Sequence, residues 1–213
     1  DTHSPAVIAY SAATSGRPKG AILTHFNLIN AAKNLTEQEE MKKNDDYFSF
    51  LPLSWVNEKV VSTVVPLIIG FATNFPEKPH TVMVDLREIG PQTLLAPPRV
   101  YQSLMSNFII RMEGASWFKR KVYGLFKKYG DKKAVADANN EVLSGMDKFM
   151  YFLGDAIIFS AIRDHLGLGR LRRAYVAGAA LQQDAFHFYH SIGVNLKQTY
   201  GGTEVAGIAF VQP

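Results

Sequence analysis

Short apolar runs alternate along this chain with longer amphipathic segments, and that alternation restricts the fold more than any other feature. Strands are expected at 6–11, 20–24, 47–51, 71–75, 92–96, 172–177, 194–198 and 206–211. Helices are expected at 26–40, 56–69, 79–89, 97–112, 116–129, 134–165 and 182–192. The pattern predicts an α/β fold, with mainly parallel sheets flanked by crossover helices. Asp46, Gly70, Gly90-Pro91 and Gly193 punctuate the elements. The polar stretch 130–140 is expected to be a mobile surface segment or a frayed helix start. With 213 residues, 47% of them hydrophobic, the chain is long enough for a sizeable core and one or two subdomains. It has no internal repeat and no low-complexity linker.

Two loops carry candidate chemistry. Residues 11–20, SAATSGRPKG, lie between two apolar runs and are rich in small and hydroxyl side chains. Such a strand–loop–strand can wrap backbone N–H groups and hydroxyls around a phosphate, with Lys19 adding positive charge. It is not a Walker A loop, because Gly20 follows Lys19 where Ser or Thr would be needed. A surface hairpin turn with Gly16 and Pro18 as turn residues fits these residues equally well. The second loop, Gln198-Thr199-Tyr200-Gly201-Gly202-Thr203-Glu204, gathers an aromatic ring, glycines, a hydroxyl and a carboxylate. Tyr200 can stack on a base, the glycines admit close backbone approach, and Glu204 offers a hard oxygen ligand for Mg²⁺. A tight turn with an incidental acid is the plain alternative.

Taken together and in order, the two loops resemble the signature motifs of the adenylate-forming superfamily. That superfamily holds acyl-CoA synthetases, luciferases and peptide-synthetase adenylation domains. Thr24-His25-Phe26-Asn27-Leu28, Leu51-Pro52-Leu53-Ser54-Trp55 and Ala177-Gly178-Ala179-Ala180-Leu181 resemble further family segments. The stretch Ala96-Pro97-Pro98-Arg99-Val100-Tyr101, with residues 115–121, is most similar to long-chain acyl-CoA synthetases. The resemblance covers nearly the whole chain and implies part of the large N-terminal domain of such an enzyme. Residues 1–213 would form a partial AMP-binding domain, without the small C-terminal domain bearing a catalytic lysine. The isolated piece is expected to be poorly active or inactive.

The implied reaction is a two-step activation of a fatty acid with ATP, Mg²⁺ and coenzyme A. The resemblance implies that Thr14, Ser15, Gly16 and Lys19 hold the β- and γ-phosphates. Gly178, Ala179 and Tyr200 would contact adenine, and Gly201 would belong to the same nucleotide-binding set. Thr203 would meet the α-phosphate and Glu204 would hold Mg²⁺; with Lys19 they would form the catalytic group. Trp55 would border the acyl pocket. Ala12 and Ala13 depart from the family's serine and glycine. A lost hydroxyl donor is worth roughly 1 kcal/mol or more against a charged acceptor, so weaker phosphate binding is expected.

Two rival readings stand beside this one. An adenylation domain for an amino or aryl acid is opposed by Pro97-Pro98-Arg99 and Trp117-Phe118-Lys119-Arg120. A non-catalytic nucleotide- or lipid-binding module is favoured by Ala12-Ala13.

The absence of cysteine excludes a disulfide framework and a thiolate metal site. The net charge of +4 gives no indication of a nucleic-acid partner. The longest apolar stretch, 149–162, is broken by Gly154 and Asp155 and falls short of the roughly 20 residues that span a bilayer. The expected location is the cytoplasm, with peripheral membrane contact through 116–133 as an option. There Phe118, Val122, Leu125, Phe126 and Tyr129 make one apolar face amid lysines. Packing of that face on the domain is the commoner use of such a pattern. His25 is expected to cap or orient the helix after the first loop. His187 and His190 are expected to be surface residues rather than metal ligands, because no third ligand accompanies them.

Overall fold

The computed structural model describes residues 1–11 and 17–212. Strands β1 (Pro5–Tyr10) and β2 (Gly20–Thr24) pair antiparallel as a small separate sheet. The remaining strands are β3 (Asp46–Phe48), β4 (Ala72–Asn74), β5 (Thr93–Ala96), β6 (Arg173–Val176), β7 (Leu196–Gly202) and β8 (Gly207–Val211). They form one sheet in the order β4-β3-β5-β6-β7-β8. Every neighbouring pair in it is parallel except β7 and β8, which run antiparallel. The mixed α/β fold with a mainly parallel sheet is therefore as the alternation of elements predicts.

The central strands are buried on both faces, and their side chains alternate between two cores, as the period of two requires. Phe48, Leu94, Ala96, Ala174 and Val176 point into one core. There they meet Tyr101, Leu104 and Phe108 of α5 (Pro98–Glu113), Phe126 of α6 (Trp117–Asn139), and Phe188 and Tyr189 of α9 (Gln183–Ser191). Tyr47, Leu95, Tyr175 and Ala177 point into the other. That core is closed by Leu28, Ala32 and Leu35 of α1 (His25–Gln38) and by Val56, Val60, Val61 and Val65. Helix α4 (Val82–Ile89) adds Leu86 to the first core.

The valines of the second core lie on one helical run: α2 (Val56–Lys59), a π-helical turn Val60–Val64, and α3 (Val65–Ile69). Pro66 accounts for the irregularity. It has no N–H to give to the carbonyl of Ser62, and the Thr73 hydroxyl donates to that oxygen instead at 3.0 Å. The first turn of α1 is capped by Thr24, whose Oγ1 accepts from the Asn27 N–H, while Asn27 accepts from the Thr24 N–H. His25 is thus the first helical residue, and Thr24 does the capping expected of it.

The stretch 130–140 differs from expectation. Helix α6 runs unbroken through Gly130 to Asn139 and ends at Asn140 in the left-handed conformation. A new cap at Ser144, which accepts from the Asp147 N–H, then starts α7 (Gly145–Gly154). A second π turn, Asp155–Phe159, leads to α8 (Ser160–His165). Gly130 is a contact glycine and not a break: a Cβ there would fall 2.4 Å from the Ser191 carbonyl oxygen of α9. The buried face of α6 is also rotated from the expected one. Phe126, Gly130 and Ala134 face inward, whereas Phe118 and Leu125 are exposed.

Candidate active site

The parallel strands end their runs on one edge of the sheet, where ligands bind in open α/β folds. After β3 the chain passes Leu51, Pro52 and Leu53 to Trp55, which opens α2: the Lys59 N–H donates to the Trp55 carbonyl at 3.0 Å. Trp55 keeps 39% of its surface exposed. After β6 the chain turns at Gly178, whose φ of +90° lies in the region that favours glycine. A Cβ at this position would lie 3.3 Å from Cη2 of Trp55. The structure thus brings the Trp55 ring onto the backbone of the Gly178 turn.

That turn is held from β7 by a residue to which the motif assigns no role. The Gln198 amide donates to the carbonyls of Ala179 (3.0 Å) and Val176 (3.4 Å), and its oxygen accepts from the Leu181 N–H at 3.2 Å. The Thr199 hydroxyl donates to the Val176 carbonyl at 2.8 Å. Tyr200 follows, 74% exposed, with its ring 6.3 Å from that of Phe210 on β8. Gly201 and Gly202 continue the strand opposite Ile208 and Gly207, so this part of the motif is extended backbone. The tight turn comes after them, at the 3-10 segment Thr203–Val205, with Glu204 exposed.

The Thr203–Val205 turn packs against β2, at whose start Lys19 lies. Lys19 is exposed, and its backbone closes the neck of the first loop. The Ser11 N–H donates to the Lys19 carbonyl at 3.0 Å, and the Lys19 N–H donates to the Ser11 hydroxyl at 3.3 Å. Thr14, Ser15 and Gly16, with Ala12 and Ala13, lie outside the described residues.

A carboxyl group beneath this edge gives no signal in the sequence. Glu58 of α2 is fully buried and accepts from the Tyr47 and Ser49 hydroxyls, each at 2.5 Å. Burial pushes its pKa up to about 6, and the two hydroxyl donors oppose the rise. A cleft of about 530 Å³ passes beside Glu204, between Asn27, Asn30 and Asn34 of α1 and Ile208 and Phe210 of β8. Trp55, Gly178 and Tyr200 do not line it.

Among the described residues no three His, Asp or Glu side chains cluster as a metal site. Glu204 therefore offers one carboxylate, a hard oxygen donor. That fits Mg²⁺, which is commonly held by one or two carboxylates together with substrate phosphates and water. His187 pairs with Asp131 at 3.0 Å, and half-buried His190 bonds the Leu196 carbonyl at 2.8 Å.

The opposite edge of the sheet is closed by charge. Buried Arg173 reaches Asp45 at 2.7 Å and the Glu39 carbonyl at 2.6 Å, while Lys197 pairs with Glu39 at 3.0 Å. Tyr175 also donates to Glu39, at 2.8 Å. The two edges thus differ: charged stitching closes one, and exposed aromatics with open turns mark the other.

A family profile described as AMP-binding enzyme matches residues 1–213. The long-chain-fatty-acid–CoA ligase ACSBG2 of Rattus norvegicus is 28% identical over 210 residues, covering 95% of this chain and 31% of that protein. The peroxisomal long chain acyl-CoA synthetase 7 of Arabidopsis thaliana is 26% identical over 203 residues, covering 94% and 27%. Among solved structures, ATP-bound MatB from Rhodopseudomonas palustris superposes with a TM-score of 0.64 at 18% identity, covering 100% of this chain and 32% of that one. McyG A-PCP complexed with phenylalanyl-adenylate superposes with a TM-score of 0.66 at 12% identity, covering 100% and 28%. The chain spans about a third of the length of these proteins.

Proposed function

The chain belongs to the AMP-binding enzyme family, and from that premise we propose that the full-length protein activates a long-chain fatty acid in two steps. The acid's carboxylate oxygen bonds to the α-phosphorus of ATP, and the bond to the β-phosphate oxygen breaks, releasing pyrophosphate. The coenzyme A thiol then gives up its proton, its sulfur bonds to the acyl carbon, and AMP leaves. A fatty carboxylate is already ionised at neutral pH, so the first step needs no general base. It needs in-line positioning and neutralisation of phosphate charge.

The observation that carries this reading is the Trp55 ring seated on the Gly178 turn, which Gln198 and Thr199 tie to the strand bearing Tyr200. In this arrangement Gly178, Ala179, Tyr200 and Gly201 bind the nucleotide, and Trp55 borders the acyl group. Lys19, with Thr14, Ser15 and Gly16 before it, meets the terminal phosphates, and Thr203 meets the α-phosphate. Glu204 holds Mg²⁺, which supplies positive charge to the phosphates when bound. Residues 1–213 form part of a larger adenylation domain in this reading. The long-chain preference draws on the similarity to the acyl-CoA ligases at 26–28% identity.

Among the described residues no helix is long and apolar enough to cross a membrane. Exposed Trp117, Phe118 and Leu125, with Lys119, Lys121 and Lys128 on the same helix, support a peripheral contact with anionic lipid.

The test is pyrophosphate release by the full-length protein with ATP, Mg²⁺ and fatty acids of graded length, beside amino and aryl acids. Release with palmitate, lost in Lys19→Ala and Glu204→Ala, is the expected result. Release with amino or aryl acids alone would overturn the substrate class. Retained activity in both variants would overturn the residue roles.

A further inference from the structure

We propose that Glu58 is a positioning residue that pins α2 to β3 and so fixes the wall between the Gly178 turn and the Thr203–Ala206 turn. The inference rests on the reading of those two turns as the adenine and phosphate contacts. Helix α2 is only four residues long and runs directly into a π turn, so it has little stiffness of its own. Yet it touches the first turn and the residue that directly follows the second. Trp55 at its start lies against Gly178, and Asn57 lies against Gly207, where a Cβ would fall 2.8 Å from the amide oxygen. What holds this short helix in register is the carboxyl one residue further along.

Glu58 is fully buried, and its two oxygens each take a hydroxyl, one from Tyr47 of β3 and the other from Ser49 just after it. A carboxyl group so deep is stabilised by the bonds made to it, so sliding or rolling of α2 along β3 would strand it. The anchor itself is rigid. The Tyr47 ring packs against Phe71, and the Ser49 N–H donates to the carbonyl of Asn74, the last residue of β4, at 2.9 Å. Glu58 lies beneath the site, and its effect on substrates passes through Trp55 and Asn57.

The test uses the full-length protein with Glu58→Ala, Glu58→Gln and, separately, Tyr47→Phe and Ser49→Ala. Two readouts are taken below the unfolding temperature: KM and kcat for ATP and palmitate, and exchange of the Leu181 and Ala206 amide hydrogens. Glu58→Ala is expected to raise both KM values about tenfold with kcat changed less than about threefold. The two amides are expected to exchange about tenfold faster. Glu58→Gln keeps the length and one acceptor and is expected to restore KM and exchange to within about threefold of the parent. Glu58→Ala with parental KM and exchange overturns the proposal, as does Glu58→Gln failing as badly as Glu58→Ala. If Glu58→Ala does not fold, the two hydroxyl variants decide. Raised KM and faster exchange in them support the anchor, and parental values overturn it. If the parent releases no pyrophosphate with any acid, the functional reading fails, and the exchange data still decide the role of Glu58.

Discussion

Helix α6 carries two interior glycines whose surroundings differ completely, and replacing each by alanine isolates a packing energy. At exposed Gly124 a Cβ would meet nothing within 4 Å. Alanine there is expected to stabilise by about 1 kcal/mol, through helix propensity and a less flexible unfolded chain. At Gly130 the same methyl would lie 2.4 Å from the Ser191 carbonyl oxygen and 3.1 Å from Cζ of Phe159. The oxygen belongs to the last residue of α9 and cannot swing aside, so α6 must back away or bend. Overpacking of this kind costs about 1–3 kcal/mol. The propensity gain is common to both variants and cancels in their difference. Gly130→Ala should therefore be less stable than Gly124→Ala by about 1–3 kcal/mol. With a urea m-value of about 2 kcal/mol/M, the unfolding midpoints should differ by about 0.5–1.5 M at equal m. A Gly130→Ala midpoint equal to or above that of Gly124→Ala would refute the close packing of α6 on α9.

Two further outcomes follow from buried charge. Asp45→Ala leaves the nearly buried Arg173 guanidinium facing only the Glu39 and Glu40 carbonyls. It should cost about 3–5 kcal/mol in urea unfolding, and a loss under about 1 kcal/mol would contradict the pairing. The Glu58 carboxyl, raised from 4.5 to about 6 by burial, binds its proton more tightly in the folded chain than in the unfolded one. Its contribution therefore becomes more favourable as pH falls from above 6 to below 4.5. Relative to Glu58→Gln, the parent should gain up to about 2 kcal/mol across that window. A stability difference independent of pH would show that the carboxyl is not held as described.

The sequence makes the central strands legible because the short apolar runs of β5 and β6 are buried on both faces and have few other places to go. The order of the two motif loops was legible too, since both are local in the chain. The stretch 130–140 was misleading because a glycine ahead of polar residues looks the same whether a helix frays there or runs on through a close contact, and the neighbour, α9, is not visible in the sequence. Pro66 marks the irregularity at Val60–Val64 in the sequence, but the hydroxyl that takes up the freed Ser62 carbonyl comes from Thr73, outside the helix itself. Glu58, Gln198 and Arg173 read as ordinary polar residues in sequence. Their partners lie on other elements, up to 134 positions away in the case of Arg173 and Glu39. Gln198 had one visible cue, its place two residues before Tyr200 on a strand whose neighbour ends in the Gly178 turn.

The charged edge of the sheet has a consequence for synthesis. Asp45 and Arg173 are 128 residues apart, so at about 5–20 residues per second the arginine is made roughly 6–25 s after its acid. During most of that interval α1 and β3 have left the ribosome tunnel, while β6, β7 and β8, which extend the sheet beyond β5, have not. The nascent chain thus presents an unfinished hydrophobic surface for seconds, long enough for a chaperone to engage it. The ion pair that seals the edge cannot form until β6 has emerged beside β5.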